Sequence, residues 1–310
     1  MRGLLYTKDF SPTVLPLLYE WDVCHGMGET CDYFEVTCPF DKSMLGSLAD
    51  ARFFRGLNNE ETVFYGLVDE YTIVCDEEGS RVTVSGRSMA AILFDNEAEA
   101  ASYGSISLDA LIARHVTPYG LGKIEKRSMP ALYRFNVASG ESEWSVLSRF
   151  CRYSCGVQPR YSKDGVLLLN DKQGPVRKIN SSSRVFSVKR RDCRYGLISS
   201  VLVKNRVTGA RYTVHNEPFE ARGGASRRVL TVPKTTGADA MRYTAEYQIR
   251  ESQRGKNTIE VGLTTQFAGF AGDIAELDLP DMGLSGRYRI IRSRCWADGN
   301  DAGTYLTLEV

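Results

Sequence analysis

Eight cysteines and three histidines carry most of the nucleophilic and metal-binding chemistry in this 310-residue chain. Cys24, Cys31 and Cys38 fall seven residues apart, and His25 adjoins the first. Three thiols and an imidazole are a zinc donor set, but structural zinc sites favour pairs only a few residues apart. The segment from Asp32 to Cys38 also reads as a strand, along which a seven-residue step changes face. No metal site is expected here, and no other cofactor. The cysteines are too sparse for a disulfide framework. Cys151 and Cys155, four apart on one helix face, read as small buried apolar groups.

The other reactive types give no converging set. His115 stands alone on the apolar stripe of an expected helix, and a general base needs an orienting partner that the sequence does not offer. Glu60, Glu61, Asp69, Glu70, Asp76, Glu77 and Glu78 are scattered over a strand face and a turn, which explains them better than the paired carboxylates of glycoside chemistry. Lys189-Arg190-Arg191-Asp192-Cys193-Arg194 is a short basic run with Phe186 and Tyr195 near it. Nucleic-acid domains are usually strongly basic, and this chain has a formal net charge of +1. A solvated or intersubunit edge is the better reading, with no sequence-specific nucleic-acid binding. The Gly-rich stretch Glu220–Arg228 lacks the Gly-Lys-Ser/Thr ending of a phosphate loop and leads into a strand, Val229 to Val232, so it reads as a flexible loop. No catalytic residue is expected, and the chain is not read as an enzyme.

What must be positioned is therefore a framework. Hydrophobic content of 43% and charged content of 25% are those of a globular protein able to bury substantial cores. No apolar run is long enough to span a bilayer, and Met1 to Phe10 lacks the apolar stretch of a secretory signal, so folding in a cytoplasm is expected. Residues 1–63 alternate short strands and turns: Tyr19–Cys24, Tyr33–Cys38, and Arg52–Arg55 before a polar turn Gly56–Glu60. The segment Phe64–Glu97 organises the rest. Tyr65, Leu67, Tyr71, Ile73 and Cys75 share one parity, as on one face of a strand. Asp76–Ser80 turns, and Val82 and Val84 point together. Gly86-Arg87-Ser88 is expected to break the strand, with Ser88 capping a helix whose stripe is Met89, Ile92 and Leu93.

Residues 98–173 change character. Ser107 can cap a helix striped by Leu108, Leu111, Ile112 and His115. A second helix follows Gly140-Glu-Ser-Glu143, with Trp144, Leu147, Cys151 and Cys155 on its stripe and Gly156 as its C-terminal cap. Two strands then flank Ser162-Lys-Asp-Gly165. Residues 174–310 return to β: Val185–Val188, Leu197–Lys204 with Arg211–His215 as its hairpin partner, Asn257–Leu263, Ile274–Pro280, Arg287–Trp296 and Thr304–Val310. One longer helix is expected over Ala238–Arg254.

Three of these stretches together resemble one family. The Gly66-x-Val68 strand with Val82-Thr-Val-Ser-Gly-Arg87, the Glu141-Ser-Glu-Trp-Ser-Val-Leu-Ser-Arg-Phe-Cys151 helix with Asp164-Gly-Val-Leu-Leu-Leu169, and the Gly283-x-x-Gly286-x-Tyr288 strand with its alternating final strand occur in the order seen in phage contractile-tail baseplate hubs. These are the late control protein D or tail hub family, related to the hub half of type VI secretion spikes. The resemblance implies a mainly β fold with an α+β insert: two tube-like antiparallel β-barrel domains, 1–97 and 174–310 (the latter with a C-terminal hairpin), around a small α/β domain, 98–173. It implies a homotrimer that joins a sixfold tail tube protein to a threefold spike protein, beside other baseplate proteins, in the tail baseplate of a virion or phage-like particle. It makes Gly66, Gly86 and Arg87 fold-determining in the first barrel, has Trp144 and Leu147 anchor the middle domain, and has Gly286 and Tyr288 anchor the last hairpin. A peptidoglycan or cell-wall binding module is the alternative class; it calls for repeats or a linker-rich chain, and the sequence has neither.

Overall fold

A computed structural model of the chain describes residues 1–28, 31–232 and 238–310. Between the strands expected at Tyr19–Cys24 and Tyr33–Cys38, Gly26-Met-Gly-Glu-Thr30 reads as a loop, of which Glu29 and Thr30 lie outside the described residues. With 47% strand and 19% helix, the fold is mainly β, as read.

The N-terminal part runs β1 (Arg2–Tyr6), β2 (Pro12–Val14), β3 (Glu20–Gly26), β4 (Tyr33–Pro39), α1 (Leu45–Ala49), β5 (Phe53–Asn58), β6 (Glu61–Asp76), β7 (Gly79–Ser88) and α2 (Ala90–Phe94). The middle part runs β8 (Ala101–Ile106), α3 (Leu108–His115), β9 (Ile124–Lys126), β10 (Leu132–Val137), α4 (Glu143–Cys155), β11 (Arg160–Tyr161) and β12 (Leu167–Leu169). The C-terminal part runs β13 (Val176–Asn180), β14 (Val185–Asp192), β15 (Ser200–Asn205), β16 (Arg211–His215), α5 (Glu217–Glu220), β17 (Arg227–Val232), α6 (Ala238–Gln253), β18 (Asn257–Leu263), β19 (Ile274–Leu279), β20 (Leu284–Asp298) and β21 (Ala302–Glu309).

The two β-rich parts share one sheet. Its path is β14-β18-β21-β20-β3-β4-β7-β6-β5-β1-β2, with β19 and β13 branching from β20. The joint is the antiparallel pair β20–β3, from Glu20 opposite Asp298 to Gly26 opposite Arg292. Each part keeps its own core. Phe34, Phe54, Phe64, Val36, Val82 and Val84 fill the first, and Ile259, Val261, Leu277, Ile290, Leu306 and Leu308 the second.

Strand β6 serves two cores because it changes phase. A bulge between Val68 and Glu70 inserts one residue opposite β7. Before it, Phe64 and Val68 face the first barrel core, while Tyr65 and Leu67 face the middle core with Leu111, Val146, Leu147 and Phe150. After it, Ile73 has taken over the barrel side. The single parity expected from Tyr65 to Cys75 is thus two faces joined by a bulge.

Other local readings shift for similar reasons. Gly86, Arg87 and Ser88 continue β7 and pair with Val68, Leu67 and Gly66. Ser88 does not cap α2, whose N-cap is Met89 without a side-chain bond; its hydroxyl accepts the Asp32 backbone N–H instead. Gly56 and Leu57 are buried within β5, and the turn is confined to Asn59 and Glu60, both at positive φ, as a tight antiparallel hairpin demands. Ser107 and Gly156 cap α3 and α4 as read. The basic residues Lys189, Arg190 and Arg191 lie within β14. Gly223 and Gly224 are tied back to Glu220 and Phe219 by backbone hydrogen bonds. Helix α6 packs on a separate sheet, β16-β15-β17, through Val201, Val203, Met241, Ala245 and Ile249. No described helix is long and apolar enough to cross a membrane.

Candidate functional site

Two buried histidines show where titratable chemistry is concentrated. In β3, Val23, Cys24 and His25 are all buried, so side chains are covered on both faces of the strand. His25 Nε2 faces the Val63 carbonyl oxygen at 2.9 Å. A carbonyl only accepts, so Nε2 carries a proton. Nδ1 lies 3.2 Å from Asp32 Oδ2, and Asp32 Oδ1 accepts the Gly26 N–H at 2.8 Å. Both ring nitrogens of His25 are thus engaged within the fold. Cys24 Sγ accepts from Arg292 Nε. Burial raises the Cys31 thiol to about 12 and the Cys38 thiol to about 11, whereas metal ligation and nucleophilic attack both use the thiolate.

His115, read from sequence as partnerless, has a partner on each ring nitrogen. Its Nδ1 lies 2.7 Å from Glu143 Oε2, and its Nε2 lies 3.0 Å from the Tyr103 hydroxyl. Tyr119 donates to Glu143 Oε1 at 2.9 Å. Burial, followed by the bond to Glu143, raises the Tyr119 phenol above its ordinary value. Helix α3 brings His115 in on its buried stripe, and α4 brings in Glu143 from its first turn. A histidine oriented by a carboxylate has the form of a general base. Here the outer nitrogen is capped by Tyr103 and the ring is 4% exposed, so the quartet ties α3 to α4. One signal for it stood in the sequence: Glu143 falls four residues before Leu147 on the stripe that α4 buries.

A cleft of about 250 Å³ opens where the three parts meet, lined by His25, Asp32, Glu61, Arg160, Lys163, Arg177, Phe270 and Asp273. Arg177 pairs with Asp273 at 2.8 Å. Lys163 pairs with Glu61 at 3.0 Å and donates to the Thr62 carbonyl at 2.6 Å. Arg160 donates to the Ala271 carbonyl at 3.2 Å, and burial lowers its pKa, with a further push from Arg289. His25, Lys163 and Arg177 all approach the Phe270 ring. The Ser162 hydroxyl, also on the lining, accepts the Asp164 and Val166 N–H groups of its own turn. These contacts pin β11 and its turn to both barrel-side segments.

The residues singled out by resemblance occupy close contacts. A Cβ on Gly66 would lie 2.2 Å from the Arg87 carbonyl oxygen, and one on Gly86 would lie 1.9 Å from the Leu67 carbonyl oxygen. Arg87 holds Asp69 through Nε and Nη2 and Asp95 through Nη1 and Nη2. Leu147 is fully buried. Trp144 is a half-buried rim residue, with Phe94 and Tyr161 beside its ring, and so falls short of the core anchor expected. Gly286 sits at φ +134°. The Tyr288 hydroxyl donates to the Ser285 carbonyl, and its ring packs on the second barrel core.

Solved structures share this arrangement across nearly the whole chain. A tail protein from Neisseria meningitidis MC58 matches with a TM-score of 0.79 at 15% identity, over 99% of this chain and 95% of that one. The 43 kDa tail protein of prophage MuSo2 from Shewanella oneidensis matches with a TM-score of 0.77 at 15% identity, over 99% and 97%. An Escherichia coli component of the type VI secretion system, itself similar in structure to bacteriophage T4 tail proteins, matches with a TM-score of 0.57 at 11% identity, over 94% and 73%. No family model matches the chain, and no curated protein matches it in sequence. The chain has the fold of phage tail proteins, and the resemblance read from its sequence holds at the level of fold.

Proposed function

We propose that this chain is a structural baseplate hub of a phage tail or phage-like contractile injection system. Three copies form a ring that joins the sixfold tail tube to the threefold spike, and the ring assembles in the bacterial cytoplasm. The parts 1–97, 98–173 and 174–310 act as barrel, α/β spacer and barrel. The observation that carries this reading is the sheet itself. Its run β14-β18-β21-β20 continues through one antiparallel joint into β3-β4-β7-β6, so each chain offers two four-stranded halves side by side. Three such chains present six halves to a sixfold neighbour.

Both ends of that run are suited to closure. Among the described residues, strand β14 pairs only with β18, and β6 beyond the bulge pairs only with β7, since the register of β5 with it runs no further than Leu67. Unpaired edges template pairing with another chain. Lys189, Arg190 and Arg191 mark one edge, and Glu70, Asp76, Glu77 and Glu78 mark the other or its turn. Opposite charge at two different patches favours a head-to-tail contact, which closes into a ring when the rotation permits.

Thiol cross-linking of assembled particles tests this. Cys75 is exposed on the acidic edge, and Arg190→Cys supplies a thiol on the basic one. A short bis-maleimide should give a ladder ending at three chains. A ladder running to six, or unlinked chains throughout, would sink the trimeric ring.

A further inference from the structure

Between Lys189 and Arg228 the sequence holds ten lysines and arginines against three acids, in a chain whose formal net charge is +1. Six of these cations, Lys204, Arg206, Arg211, Arg222, Arg227 and Arg228, belong to the small module in which α6 covers the sheet β16-β15-β17. Among the described residues none of the six forms an ion pair. Arg222 and Arg228 instead donate to neutral oxygens of Pro218 and Gln248. A protein of nearly balanced charge has thus gathered unneutralised cations in one module.

Strand register sorts them. Val203 stands opposite Tyr212 and Leu230, on the side packed under α6. Leu202 stands opposite Thr213 and Val229, on the side facing away from α6. That outer face has three rows: Arg211, Lys204 and Thr231; then Thr213, Leu202 and Val229; then His215, Ser200 and Arg227. Cations bracket a central row in which Leu202 is buried and Val229 is 50% exposed. The acid beside the face, Glu220, is occupied by His215 at 3.0 Å.

We propose that this outer face docks an acidic, extended segment of another protein, apolar at its centre. Rows along a strand recur about every 6.6 Å. An extended partner segment repeats its alternate side chains at the same interval, so carboxylates can flank one apolar residue over Val229. Arginine forks match carboxylates in pairs. Nucleic acid fits less well: the face carries no Phe, Tyr or Trp ring for a base to stack on, since Tyr212 lies on the α6 side and the His215 ring is held by Glu220, and a phosphate backbone gains nothing from Val229. The face belongs to a different sheet from the two edges used in the ring reading, so its test is independent of that reading.

Fluorescence anisotropy with the full chain tests the proposal. One probe is a short peptide of alternating glutamate and glycine around a central leucine, and the other is a single-stranded oligonucleotide of equal length. The peptide should bind, and more weakly as salt rises. Arg211→Gln with Arg227→Gln should weaken it by about tenfold, the scale for removing charged partners at an interface. Val229→Ser should weaken it severalfold, which a purely electrostatic surface would not show. Lys189→Gln with Arg191→Gln, on β14, should leave it unchanged. All these side chains are exposed, and Lys204→Gln alone provides a second readout should the double variant lose its fold. Unchanged affinity in the Arg211/Arg227 variant, an equal loss from the β14 variant, or tighter binding of the oligonucleotide overturns the proposal.

Discussion

Gly86 passes so close to Leu67 that a Cβ on the glycine would stand 1.9 Å from the leucine carbonyl oxygen. The contact lies next to the bulge by which β6 changes phase, and Phe34 closes the other side, 2.8 Å from the same Cβ position. Backbone and a buried ring cannot give way as a flexible side chain would. Gly86→Ala should cost about 3 kcal/mol, the upper range of overpacking. Gly46→Ala, in α1 with open space around it, should be neutral or stabilising by a few tenths of a kcal/mol, on helix propensity. Urea denaturation of the two variants separates the cases, and similar midpoints would refute the close approach.

Glu143 supports two neighbours at once, His115 and Tyr119. Glu143→Ala leaves both without that acceptor inside the middle core, at a cost of about 3 kcal/mol, as when one partner of a buried pair is removed. Replacing His115 and Glu143 together with leucine should recover part of that loss, because no unpaired imidazole remains in the core, while the Tyr103 and Tyr119 hydroxyls, on half-buried residues, lose their partners. A Glu143→Ala variant that melts with wild type would show that the quartet does not hold α3 to α4.

Both successes and misses of the sequence reading have physical causes. Helix caps at Ser107 and Gly156 were legible because capping depends on a few adjacent residues. The phase of β6 was not: with Phe64 and Tyr65 both turned to apolar cores, alternation carries no polarity to mark the bulge. The partner of His115 lay on another helix, and pairing across elements leaves no local pattern. Ser88 read as a cap because its hydroxyl bond, to the Asp32 N–H, comes from a strand far away in sequence. The clash-limited glycines were found only through the resemblance, since glycine in a strand marks equally a bulge, a bend or a close approach.

Trp144 and Leu147 lie three residues apart on α4, but burial differs. Leu147→Ala opens a cavity at a fully buried site and should cost about 3–5 kcal/mol. Trp144→Ala loses rim contacts with Phe94 and Tyr161, and about 1–3 kcal/mol is expected for its partial burial. Chemical denaturation ranks the two, and a larger loss at Trp144 would restore it as the core anchor.

Acid should loosen the Arg87 clamp. The Arg87 guanidinium bonded to Asp95 holds that carboxyl below its ordinary value. A depressed carboxylate contributes stability that is present above its unfolded pKa, about 3.9, and is lost as pH falls through the lower folded value. The Arg87→Gln variant should therefore melt below wild type at neutral pH, with the gap narrowing below about pH 4. Asp95 is more than half exposed, so screening keeps this contribution small, and high salt should shrink the gap at neutral pH too. A gap that stays unchanged in acid would mean the clamp acts through packing alone.

Thiol chemistry provides the last test, because it weighs a donor set that the sequence brings together against a fold that separates it. Cys31 precedes β4 and Cys38 lies near its far end. The five steps from Tyr33 to Cys38 alone span about 16 Å, whereas ligands of one zinc ion converge to about 2.3 Å from it. Cys24 accepts from Arg292, and both nitrogens of His25 are already bonded. Burial keeps Cys31 and Cys38 protonated at neutral pH. We expect Cys75, which is exposed, to react first with a maleimide in the native protein. Cys24, Cys38, Cys151 and Cys295, all buried, should react only on unfolding. Excess chelator should leave the melting temperature unchanged and release no stoichiometric metal. One equivalent of zinc that survives dialysis, together with protection of Cys24 and Cys31 that chelator abolishes, would establish a metal site that this backbone does not provide for.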